Sequence, residues 1–514
     1  MAKRDLTHRT LAGMLWMSYG KAAYSILQIV VLGVLARLVT PAEFGVVSAA
    51  LVVIGLSSIV SQLGLGPALV QRPQLEPRHL DTAFTASVLM GLGLGALIWL
   101  SAPIAAGFLH MDGVTPVLHA LAWVFPIIGL GTVSSSILSR DLKFSWLANL
   151  EVVTYGIGFG AVGITGALLG WGVWALVAGQ IGQALVKSAV LLWKLPPSPR
   201  LTIDRSALKD LVYFGGGFTV AKLANYVAQQ GDKVVTGRFL GPAALGFFGR
   251  AYSLMSAPAY AFGAVLDQVL FPAMAKVQDD TARLAATYRR GVALIALVVL
   301  APSATMVLLA PELVHVVLGA RWSAVVVPFQ ILGLGMLFRT SYKMSDSIAR
   351  STGVVYRRAW RQIMYAGLVV LGAWIGQFWG IAGVAWGSLA ALTVNFVVMA
   401  DLSLDVAKIS WREFCGAHRS AALLTVVSFP VVMVATAVVR QAGLPALLVL
   451  VAVGIVQLAV CGLLIWRLPS IFLGSDGQWM LETMRAFVRK RTRRTVPPSD
   501  AQPAFDAPGT GENP

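Results

Sequence analysis

The sequence predicts an all-α integral membrane protein of about fourteen transmembrane helices, two parallel six-helix lobes followed by two further helices. Three observations predict it. Apolar runs of about 20 residues, enough to cross a hydrocarbon core of about 30 Å, recur along nearly the whole chain. Basic residues alternate between successive connections, and one stretch of about two spans recurs later in the chain. Only 12% of the 514 residues are charged and 57% are hydrophobic, against roughly 25% charged in soluble domains. A water-soluble fold is thereby excluded, and because lipid leaves backbone polar groups unsatisfied, the runs must be helices. The net charge of +17 would suggest nucleic acid in a soluble chain; here it belongs to the membrane topology, and nucleic acid is not expected as a partner.

The first span, 11–37, follows the basic start MAKRDLTHRT. It is too long for a signal h-region, carries Lys21 and Gln28, and lacks a clear small-residue cleavage site, so it reads as an uncleaved helix. The tight turn TPAEFG (40–45) leads to 45–70, and 82–106, 114–138, 148–169 and 173–193 complete a first lobe, 1–200. The basic, proline-containing stretch KLPPSPRLTIDR (194–205) reads as the connection between lobes. Spans 211–236 and 244–272, joined by GPAALG (241–246), with 290–310, 324–349, 360–379 and 381–400 make a second lobe, 201–410. Two additional spans, 418–439 and 444–466, occupy 411–468, and 469–514 is a basic, then disordered tail. Its basic part suits an anionic leaflet surface.

Placing the N-terminus and every second connection in the cytoplasm collects 29 Lys and Arg on that side and leaves only Arg37, Arg238, Arg321 and Arg440 opposite. That asymmetry is the positive-inside signal and puts both termini in the cytoplasm. The recurrence lays 21–51 on 222–252 without a gap, with nine identities in 31 positions, among them Lys21/Lys222, Gln28/Gln229, Arg37/Arg238, Pro41/Pro242 and Gly45/Gly246. A six-span unit restores the starting side, so the halves are parallel and related by an axis along the membrane normal.

Catalytic patterns are absent: there is no GxxxxGK[ST], HExxH or GxSxG, and no cofactor is expected. Cys415 and Cys461 lie in no CxxC or Cys/His cluster, which argues against a disulfide framework or zinc site. Glycines at 91, 93, 95 and 215–217 fit close helix packing better than a cofactor loop.

Charges within spans carry the functional information. Lys21, Lys187, Lys222, Lys233, Arg250, Arg339 and Lys343 stand against Asp232, Asp267 and Asp346. Each costs roughly 2.5–3.5 kcal/mol at a helix centre and normally faces a bundle interior or aqueous cavity. At 100° per residue, Lys222, Tyr226, Gln229 and Lys233 fall at about 0, 40, −20 and 20°; Lys21, Ser25 and Gln28 form the matching stripe. Arg339, Lys343, Asp346 and Arg350 form another. Helix-to-helix ion pairing is the plain alternative, with snorkelling for Lys187 and Arg250 near span ends. Seven cations against three carboxylates nevertheless leave an excess, which points to an anionic cargo in a cationic cavity.

The segments LARLVTPAEFGVVSAA (35–50), GDKVVTGRFLGPAALGFFGRAYSLMSAP (231–258) and LDQVLFPAMAKVQDD (266–280) resemble the bacterial polysaccharide-biosynthesis membrane proteins. These are the Wzx-type flippases of the multidrug/oligosaccharidyl-lipid/polysaccharide (MOP) exporter superfamily. The resemblance implies two six-helix lobes around a central cavity, alternating access, and an undecaprenyl-pyrophosphate-linked oligosaccharide carried from the cytoplasmic to the periplasmic leaflet of the bacterial inner membrane. A monomeric, non-enzymatic transporter working beside polysaccharide assembly machinery is expected. Lys21, Lys222, Lys233, Arg339 and Lys343 are the candidates for the diphosphate or acidic sugars, and Gln28, Tyr226 and Gln229 share their faces. Asp232, Asp267 and Asp346 are coupling or gating candidates, with a simple Asp232–lysine partnership as the equal alternative. Cation-coupled multidrug exporters of the same superfamily are the main competing reading; their cationic cargo calls for excess carboxylate, the opposite of this chain. A glycan polymerase or transferase would need a larger extramembrane loop or a catalytic constellation.

Overall fold

A computed structural model describes residues 20, 23–61, 65–71, 75–196, 201–206, 219–479 and 482. Among them the chain is helical throughout, without strands. The helices are α1 Ala23–Leu38, α2 Pro41–Ser61, α3 Leu65–Gln71, α4 Pro77–Leu109, α5 Val114–Ala122, α6 Val124–Arg140, α7 Phe144–Tyr155, α8 Ile164–Leu168 and α9 Val173–Lys194. They continue with α10 Thr219–Ala275, α11 Thr281–Leu308, α12 Ala310–Val317, α13 Val326–Leu334, α14 Met336–Ser351, α15 Val355–Gly376, α16 Gly380–Ala407, α17 Trp411–Gln441, α18 Ala446–Arg467 and α19 Pro469–Phe472. By length and hydropathy, nine segments among the described residues qualify as spans, or ten counting a pair that bends by 44° between Leu334 and Met336.

Local chemistry sets the ends. Thr40 and Glu43 cap α2 reciprocally: the Thr40 N–H and hydroxyl donate to Glu43 Oε2 at 2.8 and 2.7 Å, and the Glu43 N–H returns to Thr40 Oγ1 at 3.4 Å. Ser410 and Glu413 repeat the device at α17. Gly241 interrupts α10 at φ +83°, ψ −179°, a backbone open to glycine alone at no steric cost; the chain reverses there and re-enters with Pro242.

The α4, α6 and α9 helices pack together in one half, and α10, α14, α15 and α16 in the other; α10 also lies along α2, joining the halves. One continuous core includes Leu35, Phe44, Leu118, Phe248, Tyr288, Trp322 and Phe329. Outward-facing Leu100, Ile104, Trp193, Val426 and Leu458 are exposed, an apolar surface that only lipid satisfies. The α15–α16 hairpin closes on a glycine seam: a Cβ on Gly376 would come 2.2 Å from the Gly383 carbonyl oxygen, and one on Gly387 2.1 Å from that of Gly372. The α17–α18 pair docks on α11, riveted where the Thr305 hydroxyl donates to Gln457 Oε1 at 3.0 Å.

Candidate functional site

A cavity of about 810 Å3 lies among α1, α2, α6, α7, α9 and α10. Its wall mixes aliphatic side chains such as Leu32, Val47, Leu51 and Leu176 with amides and hydroxyls, Gln28, Thr132, Ser135, Gln180, Gln183 and Ser253, and with Tyr24, Tyr155 and Phe159 as its aromatic side. Tyr155 stacks on Phe159 with ring centroids 5.0 Å apart and meets Tyr24 edge-on at 5.1 Å. This aromatic side is held by the glycine-rich segment Gly156–Gly163, which is wound as a π-helix. The wide turn is a feature that recurs at functional sites, and here it is the turn that carries Phe159 on the cavity wall.

Two cations line this cavity. Lys187 of α9 forms an ion pair with Glu151 of α7. Arg250 of α10 has no carboxylate partner among the described residues: its guanidinium stands 4.8 Å over the Phe44 ring, and its Nε is buried without a hydrogen-bond acceptor. A charge so placed is costly unless a mobile anion compensates it.

Close to Arg250 in sequence, Tyr252 gathers two more cations. Lys233 Nζ lies 4.9 Å and the Arg339 guanidinium 4.8 Å from its ring centroid. Asp232 is buried at 2% exposure, its carboxylate accepting from the Lys233 N–H at 2.8 Å and from Ser388 Oγ at 3.1 Å. A second, smaller cavity of about 190 Å3 is lined by Asn225, Gln229, Arg339, Tyr342, Lys343, Asp346, Arg358 and Gln362. Asp346 is engaged there by Arg358 and, at 3.0 Å, by Arg350.

The structure therefore distributes the residues singled out by sequence. Gln28 lines the large cavity; Gln229, Arg339, Lys343 and Asp346 line the small one. Lys233 and Asp232 sit by Tyr252 and Ser388. Tyr226 leaves its stripe to donate to the Val52 carbonyl at 2.6 Å, fastening α10 to α2. Lys21 lies outside the described residues, as do the side chains of Lys222 and Asp267. Two corrections follow. Arg250, an in-span cation with snorkelling as its alternative and not among the candidate substrate contacts, lines the cavity. Glu151 belongs in the charge inventory, since it partners Lys187; its place on α7 inside a span was the available signal.

At the other end of the bundle, outside the spans, Glu312 of α12 takes a forked bond from Arg440, Nε to Oε1 at 2.6 Å and Nη2 to Oε2 at 2.9 Å. Burial alone raises this carboxyl, but the Arg440 bonds and charge outweigh it and hold it below the ordinary carboxylate value.

The larger cavity thus lies among helices before residue 195 and the α10 segment 250–257, and the smaller one among α10, α14 and α15. The fold matches the structure titled "Lipid II flippase MurJ, inward closed conformation" with a TM-score of 0.70 at 13% identity, over 88% of this chain and 99% of that one. An inward-facing multidrug resistance MATE family transporter of the MOP superfamily matches with a TM-score of 0.60 at 18% identity, over 76% and 99% of the two chains. The chain belongs to the polysaccharide biosynthesis protein family, whose sequence model matches residues 34–327. It is 25% identical over 430 residues to the teichuronic acid biosynthesis protein TuaB of Bacillus subtilis (strain 168), covering 82% of this chain and 88% of that one. It is 24% identical over 404 residues to the lipopolysaccharide biosynthesis protein WzxC of Escherichia coli (strain K12), covering 77% and 80%. The protein is thus a multi-pass membrane protein of polysaccharide biosynthesis with a transporter fold.

Proposed function

We propose that the protein carries undecaprenyl-pyrophosphate-linked oligosaccharide units from the cytoplasmic to the periplasmic leaflet by alternating access between its two lobes. The observation that carries this reading is the pairing of an 810 Å3 cavity, whose mixed wall carries amides and hydroxyls, with a cation, Arg250, that no carboxylate among the described residues neutralises. Amides and hydroxyls suit sugar hydroxyls, and the volume falls within the roughly 300–1,000 Å3 typical of ligand sites. A desolvated diphosphate calls for several cations, and Arg250, Lys233 and Arg339 gather around Phe44 and Tyr252. A carrier of cationic drugs would need the reverse polarity. The family membership supports a glycan cargo.

The lobes are 1–200 and 201–410, followed by 411–468 and the tail 469–514, with fourteen spans and both termini on the cytoplasmic face of the inner membrane. The positive-inside asymmetry supports that orientation.

The test is a complementation assay in cells that depend on this chain for surface glycan. Arg250→Gln should insert normally, abolish export and leave lipid-linked repeat units in the inner leaflet, while Arg250→Lys should retain part of the activity. Normal export by a well-expressed Arg250→Gln would remove the cationic-cavity reading.

A further inference from the structure

The large cavity ends, toward the Leu38–Pro41 turn, at Leu35 and Phe44. Immediately beyond it the two copies of the sequence repeat meet each other. A Cβ placed on Gly45 would lie 1.7 Å from the Pro242 carbonyl oxygen, and one on Gly246 would lie 2.0 Å from the Pro41 carbonyl oxygen. The backbones of α2 and of the second half of α10 thus cross at a separation that only glycine permits, and they do so reciprocally.

The arginines of the repeat are reciprocal too. Arg37 at the end of α1 donates Nη2 to the Val316 carbonyl of α12 at 2.6 Å, while Arg238 donates to the Phe108 carbonyl of α4 and approaches His110 Nδ1 at 3.3 Å. Each guanidinium leaves one repeat and reaches the last turn of a helix in the other, where unpaired carbonyls and the negative end of the helix dipole favour a cation. Trp322 packs beside the crossing: it is fully buried, its Nε1–H donates to the Ala36 carbonyl at 2.7 Å, and its ring meets Phe44 and Phe247 edge-on at 5.4 and 5.8 Å.

We propose that Arg37/Arg238, Pro41/Pro242 and Gly45/Gly246 form a two-fold clasp that shuts the cavity toward the periplasm, each repeat supplying one equivalent half; this deepens the alternating-access reading and rests on it. A two-fold contact uses the same surface twice, which gives a reason for these three pairs to be among the nine identities at a shift of 201 residues. The joint is made of backbone contact and hydrogen bonds to carbonyls, so it can part without leaving a carboxylate stranded. Gly241, with its positive φ, lies directly before Pro242, where one half of the clasp hinges.

The experiment uses the full chain with Cys415→Ala, Cys461→Ala and Gln28→Cys, the last placing a thiol on the cavity wall, and an impermeant maleimide added outside spheroplasts. With the clasp intact, labelling from outside should be slow. Gly45→Val and Gly246→Val should each raise it by about tenfold, as a loss of about 1.4 kcal/mol from the closed state would, and the double variant should exceed neither by much, because one breach suffices. Arg37→Gln combined with Arg238→Gln tests the same closure without a bulky insertion and should raise labelling by a smaller factor. Unchanged labelling in the arginine pair and in either inserted glycine variant overturns the clasp, and a response to only one glycine overturns its equivalence. Glycan export is measured separately: if the cargo reading fails, the labelling result stands unaffected, and if the clasp fails, the Arg250 assay is untouched.

Discussion

Arg37, Arg238 and Arg440 stand at the end of the bundle that the positive-inside rule keeps poor in basic residues, and all three bond to backbone carbonyls there: Val316, Phe108 and Leu308. Their retention has a structural reason in each case. For Arg440 it is the forked pair with Glu312 that ties α17 to α12. Glu312 is held below its ordinary value, so its contribution to stability is fully present above the unfolded carboxylate value of about 4.3 and is lost as pH falls through the lower folded value. In detergent at about pH 7, Glu312→Gln should therefore lower thermal stability by no more than about 1 kcal/mol, and the gap from the parent protein should close as the medium is made more acidic than the folded value. A gap independent of pH would assign the loss to packing instead. At this scale the sequence was only half legible. Helical phase places Lys233, Tyr226 and Gln229 on one edge, yet Tyr226 turns to the Val52 carbonyl while Gln229 lines a cavity, because adjacent positions on one stripe meet different neighbours. Net charge by span likewise conceals partners, as Glu151 and Lys187 illustrate.

Among the elements, apolar runs locate spans well and their ends poorly. Hydropathy reads 82–106, whereas the helix runs Pro77–Leu109; it reads 290–310, whereas α11 begins at Thr281 with Asp280 accepting from the Arg283 N–H at 3.0 Å. Polar first turns are helical by capping, not by hydrophobicity. The bend of 44° before Met336 and the π-turn at Gly156–Gly163 leave no periodicity signal, since they change the backbone and not the pattern of residue types. Glycine's packing use was legible at Gly91 and Gly95, where an added Cβ would lie 2.6 and 3.0 Å from the Phe125 and Ala122 carbonyl oxygens, but not at Gly93, which has nothing within 4 Å; the α15–α16 seam is built on the GxxxG spacings Gly372/Gly376 and Gly383/Gly387. Gly376→Val should push that hairpin apart at a cost of about 1–3 kcal/mol, the range for overpacking, whereas Gly367→Val, on the same helix with nothing within 4 Å of its Cβ position, should leave the melting temperature unchanged. Equal effects of the two would mean that helix propensity, not the seam, sets the cost.

On the scale of the whole molecule, topology rests on charge, and charge here is also structure. Arg289 and Arg290, on the basic side, close on Asp476 at 3.1 and 3.8 Å, and Trp479 lies 3.7 Å from the Arg290 guanidinium, so the segment after the last span is strapped to the start of α11. That contact requires residues 476–479 and the N-terminal end of α11 to share one face of the membrane, which demands an even number of crossings from α11 through α18 independently of any hydropathy window. The duplication makes a second, independent demand: Thr40 and Ala243, at equivalent turns of the two repeats, must emerge on one side, opposite the 194–205 connection. Single cysteines at Thr40, Ala243 and Gly443 in a Cys415→Ala, Cys461→Ala protein should react with an impermeant maleimide only from the periplasm, and cysteines at Lys194, Asp280 and Trp479 only in inverted vesicles. Because each span crossed flips the side, one wrongly assigned span anywhere between two reporters reverses every site beyond it. A split between Thr40 and Ala243 would sink the parallel six-helix repeat; a split between Asp280 and Trp479 would sink the strap that these residues form; and agreement within both sets, with the sides as stated, leaves an even number of crossings between the Lys194 and Trp479 reporters.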